Sequence, residues 1–166
     1  SETALEAAKA LQKVEADLLR MSRTYLSLPS SSPFSLVLRI HSPGGEPYSA
    51  LGLYDILCSL QVPVTTMVDG LCASAATFLL LGGQRRLIRP SGFLLVHQLS
   101  AFFGGTHEEF KDEVESQRLL MDRIVEIYTQ RTRLTERRVR MMLRRNTYLT
   151  AQQAVEKGFC TEVFYG

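Results

Sequence analysis

The chain is predicted to form an α/β domain with a largely parallel sheet, flanking helices and one helix long enough to protrude. Three features of its 166 residues point there. Short apolar runs alternate with segments of helical period, the order that builds parallel strands joined by crossover helices. The strand candidates are apolar almost throughout, as strands covered on both faces are. One amphipathic stretch of about 25 residues would span nearly 40 Å, more than so small a core covers.

Taken in order, Leu11, Val14, Leu18, Met21 and Tyr25 recur at three- and four-residue steps and predict a helix from about Glu2 to Leu26, broken between Pro29 and Pro33. Ser35 to Ile40 reads as a strand leading into Ser42-Pro43-Gly44-Gly45, and Tyr48 to Leu60 as a second helix. The β-branched run Val62 to Val68 precedes Gly70-Leu71-Cys72-Ala73-Ser74-Ala75-Ala76, after which Ala75 to Leu81 is helical and Gly82-Gly83 ends it. Arg85 to Arg89 is a basic return, and Phe93 to Val96 a buried-type strand that delivers His97. The long helix runs from about His107 to Arg131 with Val114, Met121, Ile124 and Tyr128 on one stripe, so part of it should protrude or bury its stripe against another subunit. Thr150 and Gln153 form a capping box, Gly158 stops the helix it starts, and Phe159 to Tyr165 closes as a strand. Residues 1–166 read as one domain, with no repeat, low-complexity tract or linker.

Composition narrows the function classes. With 45% hydrophobic and 22% charged residues and a net charge of +2, the chain is neither disordered nor basic enough to argue for nucleic acid. Arg137, Arg138, Arg140, Arg144 and Arg145 do concentrate charge, as a solvated helix face or a protein contact would. Cys58, Cys72 and Cys160 are scattered among apolar residues, which suits reduced core thiols in a cytosol-like compartment and offers no metal-ligand spacing. No apolar run approaches the ~20 residues that cross a bilayer.

The chemistry centres on Ser74. A strand turning sharply into a helix projects the hydroxyl beside unpaired backbone N–H groups and the positive end of the helix dipole, where an oxyanion would find donors. An amide-cleaving serine also needs a base. Of His41, His97 and His107, the first could simply finish a strand and the last lies in polar sequence at a helix start, so His97 is the candidate. Gly44-Gly45 could let a substrate backbone approach closely, with the N–H groups of Gly45 and Ala75 as oxyanion donors. A serine–lysine dyad is disfavoured, because Lys9, Lys13, Lys111 and Lys157 sit in no motif suggesting a base. Neither a dinucleotide fingerprint nor a phosphate-loop lysine is present.

Ser-Pro-Gly-Gly at 42–45, Gly-Leu-Cys-Ala-Ser at 70–74, Val-His-Gln at 96–98 and Tyr-Leu-Thr-Ala-Gln-Gln-Ala at 148–154 together resemble the ClpP family, the proteolytic subunits of ATP-dependent Clp proteases. The resemblance runs from about residue 5 to 164. It implies a ClpP/crotonase-type fold and a serine peptidase with Ser74 as nucleophile, His97 as base and Gly45 and Ala75 as oxyanion donors. It further implies two stacked heptameric rings around a chamber in the cytoplasm or plastid stroma, fed with unfolded polypeptides by an AAA+ unfoldase. ATP would be spent by that partner, and this chain would need no metal or organic cofactor. The segment from Phe102 to Gly105 and the helix after it match the handle where rings meet.

Three departures from the family pattern shape the expectation. Asn146 stands at the position of the triad aspartate, where it can hold a histidine but cannot neutralise an imidazolium, so low intrinsic activity is expected. Arg144-Arg145 replaces an acid–arginine pair that meets between rings, which favours a mixed complex with a paralogous subunit. Val37 and Arg39 stand where the family commonly offers aromatics to the unfoldase, Ser59 replaces another apolar docking position, and by the resemblance the family's N-terminal axial segment and first strand are expected to be absent from this sequence. The alternative reading is therefore a low-activity structural or regulatory subunit of a mixed ring.

Overall fold

The long apolar strand β2, Val64–Ala73, is the axis on which the rest is hung. The structure is a computed structural model describing residues 2–26, 34–100 and 103–166, so the proline-rich break and Phe102 lie outside the described residues. β1 (Leu36–Ser42) pairs with β2 in parallel from Leu36↔Val64 to Ile40↔Val68, and after a register shift Ser42 faces Cys72. β3 (Arg85–Ile88) lies parallel to Thr65–Val68, and β4 (Phe93–Val96) joins farther along, parallel to Leu71–Ala73. Two crossover helices, α2 (Pro47–Ser59) and α3 (Ala76–Gly82), make these parallel connections possible.

β2 extends five residues past the predicted end, because Leu71, Cys72 and Ala73 find β4 as a partner. The sheet is completed by β5 (Thr147–Thr150), antiparallel to β4, and by the two-residue β6 (Glu162–Val163) beside β3. The predicted final strand thus shrinks at both ends. Gly158, at φ 81°, turns the chain after the helix Ala151–Glu156, and the N–H groups of Phe159 and Cys160 both donate to Ala154 O. Those two residues are consequently core rather than strand.

The main core gathers Val68, Leu80, Leu81, Ile88, Leu94 and Phe159, all fully buried. Each such leucine contributes about 1.5–3 kcal/mol relative to exposure. A helix absent from the sequence-based expectation, Glu136–Leu143, adds Val139, Met142 and Leu143 and leaves its arginines outside. The N-terminal helix α1, Glu2–Leu26, is only half engaged, with Leu11 and Leu18 packed on a smaller cluster around Leu57 and Val64 while Val14 and Met21 stay exposed.

The long helix α4, His107–Arg131, has two different halves. From Leu120 to Tyr128 it is core; before that, Phe110, Val114 and Leu119 are more than half exposed. Val114, expected on the packed stripe, is therefore not part of this chain's own core. No helix among the described residues is long and apolar enough to cross a membrane.

Candidate active site

Parallel strands bring their C-terminal ends to one edge of the sheet, and three of the sequence motifs begin there. β1 ends at Ser42, opposite Cys72, and opens the Ser-Pro-Gly-Gly loop. β2 ends at Ala73, opposite Leu95, and opens the Ser74 turn; β4 ends at Val96, directly before His97. The ends converge on a small cavity of about 90 Å³ lined by Ser74, Ala75, Gly45, His97 and Gln98, with Phe78, Leu99, Ile124 and Tyr128 as apolar wall. Ser74, His97, Gly45 and Ala75 are thus brought together. Asn146 is not on that lining.

Ser74 has φ 54°, the only non-glycine residue with positive φ among those described. A left-handed backbone at a serine is costly and is kept only where the surroundings enforce it. Its N–H donates to Leu95 O at 2.8 Å, which extends the β2–β4 ladder into the turn. Its carbonyl accepts from Thr77 N at 3.0 Å and from Thr77 Oγ1 at 2.6 Å. Gly44, at φ 97°, presses on the same backbone: a Cβ there would stand 2.7 Å from both Ala73 O and Ser74 Cβ. Only glycine fits. Ala75 caps α3 without any side-chain hydrogen bond, and its N–H donates to no carbonyl of the turn.

Gly45 stands open, with nothing within 4 Å of the place a Cβ would take. The loop carrying it is anchored on its far side by Glu46, whose carboxylate accepts from Tyr48 N at 2.8 Å and Ser49 N at 2.6 Å. Burial works against that charge, but the Ser49 and Tyr48 hydrogen bonds outweigh it and hold the carboxyl below its ordinary value.

The three histidines separate cleanly. His41 Nδ1 accepts from Leu71 N at 3.2 Å and serves the register shift between β1 and β2. His107 is exposed at the start of α4. His97 alone lines the cavity, and its Nδ1 lies 2.6 Å from Gln98 O. A carbonyl can only accept, so Nδ1 carries a proton, and in the neutral ring Nε2 then holds the lone pair. Continuing the β4–β5 register one step beyond Val96↔Thr147 sets Asn146 across from His97, but its side chain is exposed and the ring is held by Gln98 instead. That carbonyl was invisible to motif reading because every residue has one. Ser74 Oγ and His97 are not hydrogen bonded to each other among the described contacts.

Rival nucleophiles and bases are easily set aside. Cys72, two residues before Ser74, is fully buried, and burial pushes its thiol far above the ordinary range. Cys160 is raised to about 12 by the same cause. Thiols in that condition are inert. Cys58, expected in the core, is exposed instead. None of Lys9, Lys13, Lys111 and Lys157 lines the cavity, and no group of His, Cys, Asp or Glu among the described residues could hold a metal ion.

An α/β sheet of this topology, with a strained serine and a histidine at adjacent strand ends, defines a protein of the ClpP/crotonase-type fold. More narrowly, the chain belongs to the Clp protease family, whose model matches residues 10–165. It is 28% identical over 141 residues to an ATP-dependent Clp protease proteolytic subunit of Deinococcus radiodurans, covering 83% of this chain and 69% of that protein. A proteolytic subunit from Chlorokybus atmophyticus is 35% identical over 121 residues, covering 72% of this chain and 54% of its own length. The chain thus spans little more than half of some relatives it matches. Among solved structures, an asparagine-to-aspartate variant of ClpP1 from Listeria monocytogenes superimposes with a TM-score of 0.81 over 99% of this chain and 85% of that one. At 18% identity that likeness speaks for the fold.

Proposed function

We propose that this chain is a serine endopeptidase subunit of a Clp-type compartmentalised protease. The observation that carries the reading is that Ser74, His97, Gly45 and Ala75 line one cavity. In the first half-reaction His97 Nε2 takes the Ser74 proton as Oγ attacks the peptide carbonyl. The tetrahedral oxyanion is received by the N–H groups of Gly45 and Ala75, and the protonated ring then gives its proton to the leaving amine. Water, activated by the same nitrogen, releases the acyl group from Ser74. The chemistry draws on no metal or organic cofactor.

Family membership supports the wider setting: two stacked heptameric rings, unfolded polypeptides as substrates and an AAA+ unfoldase that spends the ATP. The exposed apolar residues Phe110, Val114 and Leu119 give α4 a surface suited to a neighbouring subunit. Three free cysteines suit a reducing compartment, the cytoplasm or plastid stroma.

A second reading, a low-activity structural or regulatory subunit of a mixed ring, is favoured by one observation: Asn146 is exposed and His97 leans on a neutral carbonyl rather than a carboxylate. Intact-mass analysis after incubation with a fluorophosphonate tests the leading proposal. A single adduct on Ser74, lost in His97→Ala, is expected; an unmodified chain in the assembled state would remove the nucleophile.

A further inference from the structure

Behind Ser74 lies a chain of hydroxyl groups that the proposed chemistry does not use. Thr77 Oγ1 is 2.6 Å from Ser74 O and also 2.6 Å from the hydroxyl of Tyr128. The direction of both bonds follows from what each atom can do. Ser74 O can only accept, so the Thr77 proton is spent on it. Tyr128 must then donate to Thr77. Burial pushes the Tyr128 phenol well above its ordinary value, so the donor stays protonated through the working pH range.

Both side chains are held where they are. Thr77 is fully buried, and the Tyr128 ring stands edge-on to Phe159 at 5.5 Å and tilted against Phe78 at 5.9 Å. Tyr128 also forms part of the cavity wall, so the helix that closes the pocket is tied to the backbone of the residue inside it. The carbonyl it reaches belongs to the one strained serine, whose peptide plane with Ala75 also sets the direction of the Ala75 N–H.

We infer that Thr77 and Tyr128 are positioning residues for peptide hydrolysis. Their hydroxyl relay holds the left-handed conformation of Ser74 and thereby aims both Oγ and the Ala75 oxyanion donor. The inference rests on Ser74 being the nucleophile. A displacement of about 1 Å at a reacting group can cost on the order of 10²-fold in rate, so the relay acts on kcat rather than on KM.

The test measures the rate of fluorophosphonate modification of Ser74, and kcat and KM for a short peptide, in the assembled full chain. Thr77→Val keeps the shape and removes the relay; Thr77→Ser keeps the hydroxyl. Thr77→Val is expected to slow modification and kcat about 10- to 100-fold with KM within about twofold, while Thr77→Ser stays near the parent. Tyr128→Phe keeps the ring and should slow the reaction a few-fold, with no further loss when added to Thr77→Val, since the relay is already cut. Equal rates for Thr77→Val and the parent would overturn the inference and leave the nucleophile standing. So would a Thr77→Ser variant as slow as Thr77→Val, because packing rather than the hydroxyl would then matter. If Thr77→Val does not assemble, an unchanged rate for Tyr128→Phe overturns it equally. A parent chain that takes no label at Ser74 removes the underlying proposal and this inference together.

Discussion

The serine half of the site and the histidine half are built to different standards. Around Ser74 every backbone group has a purpose: the N–H is tied to Leu95, the carbonyl to Thr77, and Gly44 fills the space behind it. Strain at φ 54° is thus over-determined from three directions. His97 sits where β4 runs out, its ring tied to the carbonyl of its own neighbour and, among the described residues, to nothing farther away in sequence. The residue across from it, Asn146, faces solvent. On the proposed roles, a single chain prefolds its nucleophile, whereas the base takes its tautomer locally and gains no charge behind it.

The sharpest way to break this comparison is to remove each half. Ser74→Ala and His97→Ala should each lower peptide turnover by at least about 10⁴-fold, and the double variant should be no worse, because the two act as one unit. Steady-state assays of the assembled protein read this directly. Additive losses would mean that the two halves work separately.

Asn146→Asp probes the histidine half. An aspartate-to-asparagine change in a trypsin-type triad costs about 10⁴-fold through the wrong tautomer. Here Gln98 O already enforces the protonated Nδ1, so the gain should come from charge alone, about 10- to 100-fold in kcat and well short of 10⁴. A gain of the full size would show that the Gln98 contact does not persist in solution. No gain at all would mean that position 146 stays in solvent during turnover.

Gly44→Ala probes the serine half. The added methyl meets Ala73 O and Ser74 Cβ at 2.7 Å in a backbone conformation that alanine resists. Destabilisation of about 1–3 kcal/mol is expected in urea unfolding, together with slower labelling of Ser74. A smaller effect belongs to Glu46→Gln at the other side of that loop, about 0.5 kcal/mol at neutral pH from a weakened helix cap. The folded carboxyl lies below its ordinary value of 4.5, so its contribution is complete above that value and disappears as pH falls through the folded one. Parent and variant should therefore differ in melting temperature at about pH 7 and converge as pH falls through the folded value.

Much of this architecture was legible from residue pattern. The limits of α4, the strand Phe93–Val96 and the capping box of Thr150 and Gln153 agree with the structure, because each rests on local periodicity or local hydrogen bonding. The helix Glu136–Leu143 was obscured by its three arginines, although Thr135 as cap and Val139, Met142 and Leu143 at helical spacing were available as signals. β5 is four residues long and has only Leu149 buried, too little alternation to detect. The motifs pointed to Ser74 and His97 because nucleophile and base chemistry restricts residue type. The Thr77–Tyr128 relay joins residues 51 apart through hydroxyls that pattern reading assigns to packing. Only tertiary structure reveals it.

The account stands on one convergence of groups, and a crystal structure of the assembled protein with a peptide boronate examines it most directly. The boron is expected on Ser74 Oγ, with one boronate oxygen about 3 Å from the N–H groups of both Gly45 and Ala75 and His97 Nε2 beside the other. A boronate bound at another residue, or one whose oxygens turn away from those two amides, would contradict it.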